Sequence, residues 1–428
     1  MFALVDANSF YCSAEQVFRP DWRGRPMVVL SNNDGCVVAA NRQALAAGVE
    51  KFKPYFQVRQ RCEQAGVVVC SSNYELYGDL SSRMMEVVGR FAPEQHIYSI
   101  DESFLSFRGW QLESQDYLEH AMALRRAVWR ECRLPVSVGL GRTLTLAKAA
   151  NQAAKKLPHL FEKNSEGRLM QGVCLLDEHN IAQVLPQLAS GQIWGVGRKL
   201  AARLAGVGVE TAWQLVHLPL VQAKKVGGIE LERIVRELSG ERCKGFDATR
   251  ADKQQIFSTR SMGERITSEQ ALREALCTHA GIAASKAREQ GSLCRQLYLF
   301  AASSPHDRRS VHYKYQHRFA TPVNDVCVLN QVISSVMPRL YERGVRYYKV
   351  GVGLVDLVDV RYDQLDLFAP PPPNPALMQM LDGVNHKYGR DTLFTAAQGV
   401  SPKWGMRREF LTPQYTTRWR DIPTIACK

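Results

Sequence analysis

Three carboxylates in this chain are placed as groups that hold divalent cations are placed. Asp6 closes the apolar run at residues 2–5, and a buried strand ending in an acid is a recurrent way to deliver a carboxylate to a site. Asp101 and Glu102 lie side by side within HIYSIDESFLSF, residues 96–107, a stretch otherwise apolar and β-prone. Side chains of a regular strand alternate between faces, so adjacent acids would point apart. They serve one site only if two strands meet at the pair, and the alternation of Tyr98 and Ile100 before it, and of Phe104 and Phe107 after it, fits that arrangement. An exposed acidic turn is the competing reading of the pair alone. Converging carboxylates repel one another unless a cation cancels their charge. Mg2+ takes hard oxygen ligands and joins carboxylates to substrate phosphates, and a pair of ions can activate an attacking oxygen while stabilising a leaving one. The chemistry suggested is nucleotidyl transfer or hydrolysis.

The elements around these acids must bring residue 6 beside residues 101 and 102. If 25–73, which reads as short strands and a helix, is set aside as an insert, the order is β, α, β, β, α, β. The first helix, 74–91, carries Leu76, Leu80, Met84 and Val87 on one face, and a second covers 114–131. An alternating strand follows at 135–140. This is the split ferredoxin-like order, which predicts that the first and last strands are central and adjacent, with Asp6 next to the acidic turn.

Downstream, GLGRTLTLAKAANQAAKKL at 139–157 reads as a turn into an alanine-rich helix. Lys148 and Lys155 are seven residues apart and share a face, so either could reach a triphosphate as a point charge. The GLG itself matches no phosphate-loop spacing. At Gly195 and Gly197 a tight turn precedes a helix, and a second glycine turn leads to another near Thr211. Such turns expose N–H groups that can grip a phosphate backbone, as in a helix-hairpin-helix, although an ordinary pair of antiparallel helices remains open. In the α+β region 243–353, residues 311–319 alternate between an aromatic face and a face carrying Lys314 and Arg318. That suits a sheet offering cations to phosphates, with a solvated edge strand as the alternative. Beyond residue 359 the composition shifts: Gln364, Leu365, Leu367 and Phe368 form a short amphipathic peptide ahead of a proline run. Prolines hold such a segment extended, so these side chains are expected to be exposed anchors for a partner unless they pack on their own domain.

Composition agrees with phosphate chemistry. The 428 residues are 45% apolar, enough for several cores, and the formal charge is +13, which favours phosphate-rich partners. Eleven cysteines without a CxxC pair argue against a disulfide scaffold or a zinc site and for reduced thiols. No apolar run approaches the roughly 18 residues of a membrane span, and the amino-terminal run is too short for a signal peptide. A cytoplasmic, nucleoid-associated protein without a membrane partner is expected.

Several blocks in order, FALVDANSFYCSAE, VVLSNNDGCVVAANRQA, SSNYELYGDLSSRM, YSIDESF, VSVGLGRTLTLAKAANQAAKK, IWGVGR, QLDLF and TPQYTTRW, resemble the Y-family translesion DNA polymerases, specifically the UmuC-like catalytic subunits of polymerase V type. The resemblance covers essentially the whole chain. It implies an α+β multi-domain fold: a ferredoxin-like palm at 1–24 and 74–173, a fingers insert at 25–73, and a helical thumb with the helix-hairpin-helix at 174–240. An α+β little finger follows at 243–353, then a C-terminal extension at 354–428. It further implies a two-Mg2+ centre on Asp6, Asp101 and Glu102 with the backbone carbonyl of Phe2 beside them, and an aromatic steric gate at Tyr11 that excludes ribonucleotides. Lys155 becomes a triphosphate ligand, and Arg42 a candidate substitute for the basic residue many relatives carry where this chain has Leu45. The implied partners are primer-template DNA, a deoxynucleoside triphosphate, a sliding clamp at residues 364–368, a cleaved UmuD-like accessory dimer and RecA. Two other classes stay open: a DNA-binding scaffold without activity, which the complete acid triad disfavours, and a nucleotide cyclase, which needs neither the hairpin nor the basic strand.

Overall fold

The computed structural model describes residues 1–110, 113–157, 172–246, 252–362, 375–389, 391–400 and 404–424. The chain divides into two compact units, Met1–Ser31 with Gly35–Thr249 and Phe410–Lys428, and Asn32–Asp34 with Arg250–Glu409.

The first unit begins with β1 (Phe2–Ala7) and α1 (Phe10–Val17). The insert follows as β2 (Met27–Leu30), β3 (Val37–Ala40), α2 (Arg42–Ala46), α3 (Tyr55–Gln64) and β4 (Val68–Ser71). The palm resumes with α4 (Tyr74–Gly89), β5 (Glu94–Ile97), β6 (Glu102–Ser106), α5 (Ser114–Cys132), β7 (Val136–Gly141), α6 (Leu144–Lys156) and β8 (Val173–Leu176). Four helices complete it, α7 (Ile181–Val184), α8 (Arg198–Ala205), α9 (Ala212–Val216) and α10 (Leu220–Leu238).

The palm sheet has the order β5-β6-β1-β7-β8. β1 is central and runs antiparallel to both β6 and β7, so the first and last strands of the predicted order are indeed neighbours. β7 is kept from the edge by β8, which pairs with it in parallel; residues 174–176, expected to open the thumb, thus belong to this sheet. The predicted face of α4 is the observed one: Leu76, Leu80, Met84 and Val87 are buried with Ala3, Val5 and Ala7 of β1 and Leu124 and Val128 of α5. Burial of each large apolar side chain contributes about 1.5–3 kcal/mol. On the opposite face, β7 carries glycine where the neighbouring strands carry side chains. A Cβ at Gly139 would lie 2.1 Å from the Asn151 backbone nitrogen and 2.3 Å from the Ala147 carbonyl oxygen. The missing side chain lets α6 lie directly on the sheet, where Asn151 Nδ2 donates to the Leu4 and Ser137 carbonyls at 3.3 and 3.0 Å. The insert holds its own sheet, β3-β2-β4, over a small core that includes Val28, Leu30, Val37 and Cys62.

The second unit contains β9 (Gln255–Ile266), α11 (Glu269–Glu289), β10 (Ser292–Ala302), β11 (His312–Val323), α12 (Val326–Leu340), β12 (Tyr347–Asp359) and α13 (Pro375–Tyr388). Its antiparallel sheet has the order β11-β10-β12-β9. Two expected boundaries move. β12 continues to Asp359, past the expected end at 353, because its pairing with β10 reaches Ser292. The region beyond is not a separate extension either. Met378 of α13 is buried in this unit's core, Asp382 receives a two-pronged bond from Arg288 at 2.6 and 2.7 Å, and Phe410–Lys428 returns to the first unit. The ten cysteines among the described residues are free thiols. No helix among those residues is long and apolar enough to cross a membrane.

Candidate catalytic site

Register brings the acids together. Asp6 and Glu102 are direct partners across the β1–β6 ladder, so both side chains leave the same face of the sheet. Ala7 donates its N–H to the Asp101 carbonyl at 2.9 Å, which fixes the third acid at the end of the same strand pair. The turn lies before the two acids rather than between them. β5 ends at Ile97 and β6 begins at Glu102, leaving a four-residue connection whose last member is Asp101. Tyr98 and Ser99 both donate N–H groups to the Glu102 carbonyl, at 3.0 and 3.1 Å. The Ser99 hydroxyl accepts from the Asp101 and Glu102 N–H groups at 3.3 and 3.1 Å and donates to Asp101 Oδ1 at 2.6 Å. None of these residues takes a positive φ, so the turn needs none of the glycine or asparagine that a two-residue hairpin demands. Asp101 stands outside the strand alternation, so the adjacent acids are not forced onto opposite faces of the sheet.

The helix lying against β7 supplies the opposing charges. Lys148 Nζ sits 3.0 and 3.1 Å from the two Glu102 carboxylate oxygens, and Lys155 Nζ is 2.5 Å from Asp6 Oδ1. Lys148 also lies over the rings of Tyr98 and Trp194, 4.5 and 5.3 Å from their centroids, a geometry in which aromatic faces attract a cation. Burial raises the Asp6 pKa above the usual carboxylate range; Lys155 opposes that, and the charges of Glu102 and Asp101 push it further up. The cluster is thus three mutually repelling carboxylates against two ammonium groups.

This donor set fits Mg2+. All three side chains offer hard oxygen with no thiolate or imidazole among them, which favours Mg2+ over Zn2+, and Asp6 is destabilised by its acidic neighbours in a way that a bound cation would relieve. Among the described residues no three acidic, histidine or cysteine groups are already gathered about one point, and Asp101 commits one oxygen to Ser99. Phe2 does not belong to the set. It pairs with Ser106 and Gly141, four residues from Asp6 and so about 13 Å along the strand. Any main-chain carbonyl ligand must come from residues adjoining Asp6, such as Ala7.

The remaining expected residues fall into four groups. Tyr11 lies on α1, its ring stacked on Tyr77 at 4.6 Å and edge-on to Tyr74 at 6.1 Å. Lys155 pairs with the Asp6 carboxylate here, and Arg42 opens α2 as an exposed residue, with Leu45 also exposed on that helix. In the hairpin, Gly195 has φ 92° and Gly197 precedes α8 without a side-chain cap. Thr211 caps α9 reciprocally with Gln214. Lys314 and Arg318 are exposed on β11 while Tyr313, Tyr315 and Phe319 pack on the core, and β11 is the sheet edge. Gln364, Leu365, Leu367 and Phe368 lie outside the described residues. Ser99, and the pairing of Lys148 with Glu102, were not foreseen. The spacing of Lys148 and Lys155 on one helix face was the available signal for the latter.

Residues 5–152 match the impB/mucB/samB family and residues 253–367 its C-terminal domain. Residues 375–425 match a domain of unknown function, DUF4113. The chain is 39% identical to protein UmuC of Salmonella typhimurium over 99% of both chains, and 37% identical to protein MucB of Escherichia coli over 100% of both. It is 24% identical to DNA polymerase IV 1 of Bacillus subtilis over 90% of each. Among solved structures it resembles a Y-family DNA polymerase chimera containing Dbh, with a TM-score of 0.62 and 18% identity over 84% of this chain and 100% of the other.

Proposed function

The chain belongs to the impB/mucB/samB family, the UmuC-like branch of the Y-family polymerases, and from that premise we propose that it adds deoxynucleotides to a primer opposite damaged template as an error-prone translesion DNA polymerase. The observation that carries this reading is the register of Asp6 with Glu102 beside the Asp101 turn. Asp6, Asp101 and Glu102 would hold two Mg2+ ions, which would supply charge stabilisation to nucleotidyl transfer. The protein's own residues position and exclude. Lys148 and Lys155, which neutralise the acids here, are released toward phosphate oxygens, with Lys155 taking the triphosphate and Arg42 assisting from the fingers. Tyr11 blocks a 2′-hydroxyl. The hairpin at Gly195 and Gly197 and the β11 cations Lys314 and Arg318 grip the DNA backbone. Catalysis is then mostly orientation and electrostatic stabilisation.

The peptide at 364–368 docks on a sliding clamp, and the C-terminal region engages a cleaved UmuD-like dimer and RecA at the nucleoid. The resemblance of QLDLF and of the terminal blocks supports these partners. The test is primer extension with Mg2+. Asp101→Ala is expected to lower extension by on the order of 10³ while DNA affinity stays near wild type. A purified variant that extends primers at a rate close to wild type refutes the assignment.

A further inference from the structure

The segment from Phe410 onward lies within the domain of unknown function, yet it packs on the palm. Phe410 exchanges two bonds with Ser71 at the end of β4: its N–H donates to the Ser71 hydroxyl and its carbonyl accepts the Ser71 N–H, both at 2.9 Å. Asn73, which caps α4, donates through its buried Nδ2 to the carbonyls of Thr412 and Pro413 at 3.1 and 3.2 Å and to the Thr412 hydroxyl at 3.0 Å. Tyr415 stacks on Phe18 just after α1 at 4.7 Å, and the Gln414 N–H is tied to Asp421 at 2.8 Å. Residues 410–415 therefore form a strap across the start of α4 and the end of α1.

Beneath the strap is Glu15, fully buried. Its Oε1 accepts the Tyr77 hydroxyl at 2.6 Å, while Oε2 is buried without a hydrogen-bond partner. The Thr412 hydroxyl accepts from Asn73, and its presence near Glu15 favours the charged form of that carboxyl. Tyr77 is itself fully buried and carries the ring on which Tyr11 stacks. Contacts thus run from Thr412 through Asn73, whose carbonyl accepts the Tyr77 N–H at 3.0 Å, to Tyr77 and the Tyr11 ring stacked on it, while Glu15 holds the Tyr77 hydroxyl from the other side. A buried carboxyl is costly compared with an apolar side chain, and what this one provides is a defined position for Tyr77.

We propose that the carboxyl-terminal strap is a positioning element for sugar discrimination, with Thr412, Glu15 and Tyr77 setting how far the Tyr11 ring stands into the nucleotide site. This rests on the reading of Tyr11 as the steric gate. The strap thereby couples a terminal region to substrate selection rather than to DNA grip.

The experiment measures kcat/KM for a deoxynucleotide and the matching ribonucleotide on one primer-template, using the full chain. Thr412→Val, which keeps the shape and removes the hydroxyl, is expected to lower the deoxy-to-ribo ratio about tenfold, with the deoxynucleotide value within about twofold of wild type. Thr412→Ser is expected to restore the ratio. Tyr77→Phe, which keeps the ring and removes the hydroxyl, is expected to lower the ratio as Thr412→Val does, and serves if that variant does not fold. An unchanged ratio in the variants that fold, or an equal loss with both nucleotides, overturns the proposal. Tyr11→Ala is the control. If it leaves the ratio unchanged, the gate reading itself fails; if it lowers the ratio while the strap variants do not, only the strap proposal fails.

Discussion

Glu15→Gln turns the buried carboxyl beneath the strap into a quantitative test of the packing around the Tyr11 stack. Burial pushes the Glu15 pKa from its ordinary 4.5 up to about 7, while bonds from Tyr77 and Thr412 pull it down by less. Between those two values the unfolded chain has released the proton and the folded chain still holds it. Stability therefore falls as pH rises through this window and is level above it, the loss being on the order of 3 kcal/mol. The ionisable neighbours do not change charge there. Burial lifts the Cys12 thiol to about 12 and the Cys70 thiol beyond that, and Tyr77 and Tyr415 are also raised; Arg19 stays charged. Glutamine has no proton to lose, so Glu15→Gln should match wild type near pH 4.5 and exceed it by about 3 kcal/mol above pH 7. Urea unfolding followed by tryptophan fluorescence from pH 4.5 to 8 measures the difference. A stability gap that stays constant across this range, or narrows as pH rises, refutes the placement of a protonated carboxyl at residue 15.

Two further outcomes are expected. Gly139→Ala forces α6 off β7, because the added carbon would meet backbone atoms at 2.1 and 2.3 Å. It should cost about 1–3 kcal/mol of stability and, by moving Lys148 and Lys155 about 1 Å, on the order of 100-fold in primer extension. Near-normal urea unfolding and extension would show that the helix is not seated as described. Replacing Gln364, Leu367 and Phe368 by alanine should weaken clamp-stimulated synthesis by at least about tenfold and leave basal synthesis intact. Equal loss in both assays would assign the peptide a folding role.

Periodicity made much of this architecture legible. The face of α4 built on Leu76, Leu80, Met84 and Val87, and the alternation along β11, were visible because each repeats a local pattern that burial must respect. The order of elements likewise places Asp6 beside Asp101 and Glu102. What stayed hidden depends on contacts between distant residues that share no period. Asn73 meets Thr412 across 339 positions, and nothing in TPQYTTRW signals a strap. Gly139 reads as a turn residue, and only the approach of α6 shows why a side chain there is excluded. The carbonyl expected from Phe2 was misplaced because strand rise sets Phe2 far from Asp6, at the other end of β1. The position of the turn was hidden for a different reason: Ser99 builds it with side-chain bonds, so it lacks the glycine or asparagine that marks a two-residue hairpin.

Whether Asp6, Asp101 and Glu102 form one cation-dependent centre for nucleotidyl transfer is tested most directly by single-turnover incorporation of one deoxynucleotide by wild type and Asp6→Asn, followed as Mg2+ is titrated with primer-template saturating. Wild type is expected to require Mg2+, and Asp6→Asn, with DNA binding unchanged, to be slower by on the order of 10³ at every Mg2+ concentration. Incorporation by Asp6→Asn at the wild-type rate, with the wild-type Mg2+ dependence, would contradict such a centre.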